Sequence, residues 1–402
     1  MSYISSRLSV VSRSVPMLVS QRARALTEQG HEVIDLSIGE PNFATPSHVI
    51  EAAHLAALNG ETHYTAPLGT PRLRQAVCGK FQRENGLEYK QDQIIISNGA
   101  KQIIFNALMA VLEEGDEAII PAPYYMSYPE ITKLLGGVPV VPHCPAETGF
   151  RLTPEILDGA ISPRTKLLFL NSPGNPSGAV YSEPELHALG EVLLRHPRIL
   201  VLSDEIYEHI LFDGGTHVSF ARACPDLRDR TLTINGVSKT YAMTGWRVGY
   251  AAGPEPLINA MATIQSQTVL SVSAVSQAAA AAALDGPQDE VQRFRKAYQR
   301  RRDIVVGGIE KIDGLTLSPP QGAFYAFIGF SDLLGSKTPK GELLQDDWSV
   351  VNYFLDEGGV ASVPGNAYGF PNFLRISTAT LDENLESAIA KLHAVVTALD
   401  RV

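Results

Sequence analysis

Lys239 sits in the segment Asn235-Gly-Val-Ser-Lys-Thr-Tyr-Ala-Met-Thr-Gly-Trp-Arg247-Val-Gly249, between small and apolar residues and eight positions before Arg247. An ordinary lysine ammonium is protonated at neutral pH and cannot attack a carbonyl. A desolvated lysine near other cations gives up its proton and can form a Schiff base. Most lysines belong to solvated surfaces. The company of Gly236, Ser238, Met243, Gly245 and Trp246 is not a solvated-face composition.

Three further segments could act with it. Asp204, in Ser203-Asp-Glu-Ile-Tyr207, follows the apolar run 199–202. That run reads as a strand, and ligand crevices of α/β sheets form beyond strand C-terminal ends. A buried carboxylate there needs a cationic partner. A protonated pyridine nitrogen would supply one and turn the ring into an electron sink, the role of pyridoxal phosphate (PLP). An aspartate that merely caps the next turn is the plainer alternative. The loop Asn171-Ser-Pro-Gly-Asn175-Pro-Ser-Gly178 is stiffened by two prolines. Its Asn175 amide and the Tyr207 hydroxyl are candidate donors to a phenolic oxygen, although turn chemistry alone also explains such a loop. Ser97-Asn-Gly99-Ala100-Lys101 joins a strand to a helix. A glycine before a helix start leaves backbone N–H groups free for a phosphate, and Arg247 could add a charge-assisted contact. Neither a Walker loop nor a GxGxxG spacing is present.

The elements that must position these residues follow from periodicity. Strands are predicted at 94–97, 117–120, 138–141, 166–170, 199–202, 231–234 and 248–252. Helices are predicted between them at 100–113, 125–135 and 183–195, the last announced by Ser182 and Glu185 as a capping box. Apolar strands alternating with helices indicate an α/β fold with a mostly parallel sheet covered on both faces. Beyond residue 253 the pattern changes: helices over 264–284, 289–311, 348–357 and 381–400, strands at 315–317, 324–328, 359–363 and 372–376, and a polar loop over 332–347. That is a smaller α+β domain. The expected division is an N-terminal arm with part of the small domain (1–45), a large cofactor-binding domain (46–285) and the small domain proper (286–402).

Bulk composition narrows the partners. The 402 residues carry 33 basic and 43 acidic side chains, a net charge of −10 with no basic stripe, which argues against nucleic acid and anionic membranes. No apolar run reaches the length of a bilayer span. Cys78, Cys144 and Cys224 show neither metal-ligand spacing nor a disulfide framework, so no metal is expected and a cytoplasmic setting fits. The Ser- and Arg-rich start overlaps with organelle transit peptides, but 16–21 runs straight into a helix and reads better as an arm packed on the body or on a partner subunit.

From Leu36-Ser-Ile-Gly39-Glu-Pro41 to Leu374-Arg375-Ile-Ser-Thr-Ala379, and most specifically over 236–249, the chain resembles the class I, aspartate-aminotransferase-type PLP enzymes of fold type I. Within them it is most similar to the bacterial aspartate aminotransferase subgroup. The resemblance implies a seven-stranded mixed sheet between helices and a homodimer with shared active sites. It implies transfer of an amino group between an L-α-amino acid and a 2-oxo acid by a ping-pong mechanism. Lys239 would carry the cofactor and then act as base, with Asp204 on the ring nitrogen and Tyr207 and Asn175 on the phenolic oxygen. Gly99, Ala100, Lys101, Ser238 and Arg247 would hold the phosphate region, with Tyr64 reaching the partner subunit's phosphate. Arg375, with Gly39 and Asn175, would clamp the substrate α-carboxylate. β-Lyases and oxidases share this fold and most of these residues.

Three positions depart from the pattern. Tyr125 stands where the subgroup stacks a tryptophan on the ring, and Gly236 stands where many relatives have a phosphate-binding serine. The arm, Ser14-Val15-Pro16-Met17-Leu18, has valine in place of a lysine near the substrate side chain and reads as shortened. Losing a cation would leave a second substrate carboxylate unpaired, so a neutral or apolar donor is expected. The competing expectation is a shifted arm, with Lys101 or a partner arginine supplying the charge.

Overall fold

The computed structural model describes residues 3–401; residues 1, 2 and 402, at the outer ends of the expected 1–45 and 286–402 segments, lie outside the described residues. Helix α1 (Val15–Glu28) carries Pro16 in its first turn, where a missing N–H costs nothing, and β1 (Ile34–Asp35) follows. Next come α2 (Ser47–Leu58) and α3 (Pro71–Lys80), the latter capped by the Thr70 hydroxyl, which accepts from Leu73 N–H at 3.3 Å. An alternating series then runs β2 (Ile94–Ser97), α4 (Ala100–Val111), β3 (Glu117–Ile119), α5 (Ser127–Leu134), β4 (Val138–Val140) and α6 (Pro154–Ala160). It continues with β5 (Thr165–Asn171), α7 (Glu183–Leu194), β6 (Leu200–Asp204), α8 (Phe220–Ala223), β7 (Thr231–Gly236) and β8 (Gly249–Ala252). The capping box of α7 is present: the Glu185 carboxylate accepts from Ser182 N–H at 2.8 Å and from its hydroxyl at 2.6 Å.

The seven strands from β2 to β8 form one sheet in the order β2-β8-β7-β6-β5-β3-β4. β8 is antiparallel to both neighbours, and the remaining pairs are parallel. Central β5 is buried over Leu167–Leu170, as a strand covered on both faces must be. α4 packs on the sheet through Ile103, Ile104, Ala107 and Leu108, each worth about 1 to 3 kcal/mol of burial. Register then decides where chemistry collects. Asn171 lies opposite Asp204 and Asp204 opposite Ile234, while Ser97, Gly249 and Gly236 share one row. Because β8 runs backwards, its first residue meets the edge where β2 and β7 end. The segments after β2, β5, β6 and β7 and the one before β8 therefore emerge together.

The single helix expected over 264–284 is two helices, α9 (Glu255–Thr268) and α10 (Ala274–Asp285). Leu270 takes a φ of 62°, and the Ser273 hydroxyl caps α10 by accepting from Ser276 N–H at 3.4 Å. β-Branched Val269 and Val272 weaken the helix between them, and the serine offers the chain a new start. α11 (Asp289–Ile309) leads into the last part of the chain. There β9 (Thr316–Leu317), β10 (Tyr325–Gly329), α12 (Asp347–Asp356), β11 (Val360–Ala361), β12 (Val363–Pro364), β13 (Phe373–Ser377) and α13 (Asp382–Thr397) follow. The strand expected over 359–363 is also divided. β11 pairs parallel with β1, whereas β12 joins the antiparallel sheet β12-β13-β10-β9, placing Pro364 on a strand at its edge. α11 and α13 cover this sheet through one core containing Val305, Ile309, Ala326, Ile328, Leu374, Leu385 and Leu392. No helix among the described residues is long and apolar enough to cross a membrane.

Candidate active site

The common sheet edge opens into a cavity of about 1110 Å³ lined by Gly39, Ala100, Lys101, Tyr125, Asn175, Asp204, Tyr207, Ser238, Lys239, Arg247 and Arg375. These residues come from segments up to 336 positions apart, counted from Gly39 to Arg375. Two expected residues are not on the lining. Gly99 lies against the Arg247 guanidinium, and Tyr64 stands 89% exposed on the surface.

One end of the cavity is built for an anion. Gly99 precedes α4 with a φ of 82°, and no side chain caps the helix; Gln102 N–H donates to Gly99 O at 3.1 Å, and the N–H groups of Ala100 and Lys101 before it have no partner within the helix. A Cβ on Gly249 would fall 2.4 Å from Ala100 N, and one on Gly99 2.4 Å from Arg247 Nη2. Both glycines thus permit the close approach that sets the arginine beside the helix start. Arg247, with φ 56°, is aimed by bonds from Nη1 to Thr244 O at 2.9 Å and from Nη2 to Asn98 O at 3.2 Å. A helix N-terminus and a guanidinium side by side suit a phosphate.

Asp204 is buried and accepts from the Tyr128 hydroxyl at 2.7 Å and from Ile206 N–H at 3.3 Å. Burial pushes its carboxyl up to about 6 against those hydrogen bonds. No lysine or arginine pairs with it among the described residues. Lys239 is half-buried and donates to Gly39 O at 2.7 Å. Burial lowers its ammonium to about 8; Arg375 and Arg247 push the same way, and Glu40 and Asp204 oppose. Glu40 is itself engaged by the Thr244 hydroxyl. A lysine of lowered basicity and a buried carboxylate with no cationic side-chain partner among the described residues thus line the same cavity.

Opposite lies a buried guanidinium. Arg375 Nη1 donates to Asn175 Oδ1 at 3.0 Å and Nη2 to Ser37 O at 2.5 Å, while Nε has no partner among the described residues. Asn175 is held in turn by its backbone N–H, which donates to Asn171 Oδ1 at 2.8 Å. A buried cation with spare donors calls for a carboxylate.

Several lining residues escaped the sequence reading. Tyr128, the partner of Asp204, lies in the first turn of α5, three residues after Tyr125, and is joined to it by the bond from its N–H to Tyr125 O at 3.0 Å. Tyr325 bonds the Tyr207 hydroxyl at 2.7 Å but belongs to no recognisable motif. Arg13 of the arm also lines the cavity. Directly after Tyr207, buried Glu208 binds Lys80, and takes hydrogen bonds from Asn85 at 2.8 Å and Asn235 at 2.6 Å. Burial would raise the Glu208 carboxyl, but Lys80 outweighs it and holds the group below the usual range. This pair anchors the 204–208 segment from behind.

The donor set fits the cofactor expected from the sequence: an anion cradle, a buried carboxylate awaiting a cation, and a lysine easily deprotonated. The family model described as aminotransferase class I and II matches residues 31–392. An aspartate aminotransferase of Rhizobium meliloti (strain 1021) is 51% identical over 389 residues, 97% of this chain and 95% of that protein. An aspartate/prephenate aminotransferase of Cereibacter sphaeroides is 49% identical, with 98% of each chain covered. Among solved structures, an aspartate aminotransferase from Rhizobium meliloti matches with a TM-score of 0.97 at 50% identity over 100% of both chains. One from Thermus thermophilus with maleate matches with a TM-score of 0.91 at 40% identity, covering 98% of this chain and 100% of that one.

Proposed function

The chain belongs to the class I and II aminotransferases and is a PLP-dependent transaminase, and from that premise we propose that its preferred donor is a dicarboxylic L-amino acid. It moves an amino group between an L-α-amino acid and a 2-oxo acid in two half-reactions.

The roles we assign to this chain's residues are these. The start of α4, from Gly99 to Lys101, with Ser238 and Arg247, holds the cofactor phosphate. Tyr125 covers the ring, Asp204 keeps its nitrogen protonated, and Asn175 and Tyr207 donate to its phenolic oxygen. When bound, the cofactor withdraws the electrons left at the substrate's Cα. Lys239 Nζ first carries the cofactor and then, neutral, takes the proton from that Cα. Burial lowers its basicity, which makes the neutral amine easier to reach for that step. Arg375, with the Gly39 backbone and Asn175, orients the α-carboxylate so that the Cα–H bond faces the lysine.

The observation that carries the donor choice is at the cavity rim. Lys101 is exposed, with Nζ 5.6 Å from the centre of the Tyr125 ring, and neither Lys101 nor Arg13 has an ion-pair partner among the described residues. Two cations without ion-pair partners on the same cavity as Arg375 favour a second carboxylate, so the charge missing at Val15 does not leave the rim neutral. This supports the competing expectation, in which Lys101 supplies the charge, over the neutral donor. Aspartate, prephenate and maleate, named with the relatives, all carry two carboxylates. Steady-state kcat/KM over a donor panel tests this. Aspartate and glutamate should exceed leucine, phenylalanine and methionine; the reverse ranking would defeat it.

The same reading divides the chain at 1–45, 46–285 and 286–402, supported by the pairing of β1 with β11, and places the enzyme in the cytoplasm. It also makes it a homodimer. Exposed Tyr64, Val269 and Leu270 adjoin one another through the contact of Thr65 with Ser271, an apolar face suited to a second copy. Tyr64 would then reach the partner's phosphate. Sedimentation as a monomer would refute this.

A further inference from the structure

Tyr325 opens β10, and its register relates it to the carboxylate clamp. Phe327 lies directly opposite Arg375 on β13, and Tyr325, two residues away, shares its face. The Arg375 guanidinium accordingly sits 4.5 Å from the centre of the Tyr325 ring. At its other end the ring's hydroxyl lies 2.7 Å from the Tyr207 hydroxyl. It also fills the space beside Gly39, where a Cβ would come 2.1 Å from Tyr325 Oη. Gly39 O is the acceptor for Lys239 Nζ at 2.7 Å. One side chain from the small sheet therefore touches the substrate clamp, the phenolic-oxygen donor and the backbone that holds the lysine. Tyr325 and Tyr207 are both buried, and both lie on the cavity lining.

We propose that Tyr325 is a positioning residue that acts through Tyr207. Its hydroxyl donates to Tyr207 Oη and so commits the Tyr207 proton to the cavity. This rests on the assignment of Tyr207 to the cofactor's phenolic oxygen. Either hydroxyl of the pair can donate in isolation. Once Tyr207 spends its single proton on the cofactor oxygen, it can only accept from Tyr325. A donor that itself accepts a hydrogen bond is polarised and donates more strongly. Tyr325 thereby favours the ionised state of the phenolic oxygen without touching it. Its ring, through Arg375, is a separate contribution to substrate binding.

The two contributions come apart by substitution. Tyr325→Phe removes the hydroxyl and keeps the ring, whereas Tyr325→Leu removes the aromatic face. The test is a visible-absorbance pH titration of the holoenzyme in wild type, Tyr207→Phe, Tyr325→Phe and the double variant. Tyr207→Phe should raise the pH midpoint, since it deletes a donor to the ionised oxygen. Tyr325→Phe should raise it by a smaller amount, about 0.3 of a unit, with KM for the donor within about twofold of wild type. In the Tyr207→Phe background the same change should move the midpoint no further. Tyr325→Leu should raise KM several-fold as well. An unmoved midpoint in Tyr207→Phe would overturn the Tyr207 assignment and the proposal with it. A midpoint moved by Tyr207→Phe but unmoved by Tyr325→Phe, or moved equally in both backgrounds, would overturn the coupling alone.

Discussion

The two halves of the cavity are built differently. At the sheet edge, Asp204, Asn175 and Tyr207 are all buried, and each is held by at least one named hydrogen bond. At the rim, Ser12, Arg13, Ser14 and Lys101 are exposed, and Ser12 is tied to the body by a 2.5 Å bond from its N–H to the Glu130 carboxylate. The edge must present fixed charges to a cofactor, and fixed charges stabilise only when they need not reorganise. The rim must admit and release substrates, and exposed side chains such as Arg13 and Lys101 can meet them there. Chemistry is thus assigned to buried groups and selectivity to exposed ones.

Substitutions at the edge should affect every substrate, and substitutions at the rim should discriminate between them. The largest effect is expected for Lys239→Ala, with kcat lowered at least about 10³-fold for all donors because the base is gone. A deficit confined to one donor would break the contrast.

Asp204→Asn should lower kcat on the order of 10²-fold, again irrespective of donor, since it unpairs a charge inside the site. It should act oppositely on stability. The carboxyl is raised to about 6 from 3.8, so the native state of the cofactor-free protein gains protons relative to the unfolded chain between those values. Its advantage is complete below the unfolded value and is lost as pH rises through about 6. Above that, burial of the carboxylate costs about 3 kcal/mol. Cofactor-free Asp204→Asn should therefore melt above wild type at pH 7, and the gap should close as pH falls toward 4. Equal melting temperatures throughout would show that Asp204 is not strained.

Rim effects should be smaller and selective. Lys101→Ala should lower kcat/KM for aspartate about tenfold and leave leucine nearly unchanged, as expected for one partly solvated charge pair. Equal losses for both donors would move Lys101 from the rim to the edge.

The same contrast governed what the sequence disclosed. Strand ends, the Gly99–Lys101 turn and the order Asn175, Asp204, Lys239, Arg247 were readable because sheet geometry forces such residues to one edge. Tyr325 was not, because its role depends on a register between β10 and β13 and on a hydroxyl from the turn after β6. Arg13 was overlooked because an irregular arm has no periodicity to place its side chains. The break between α9 and α10 was hidden by an alanine run whose propensity says nothing about a serine cap. The division of 359–363 between two sheets was hidden for a related reason, since each half pairs with a strand distant in sequence.

Incubating the holoenzyme with aspartate and no oxo acid tests the central claim most directly. One equivalent of 2-oxo acid should be released per active site, without ammonia, and none from Lys239→Ala. Continuous turnover without an acceptor, or release of ammonia, would contradict transamination at this site.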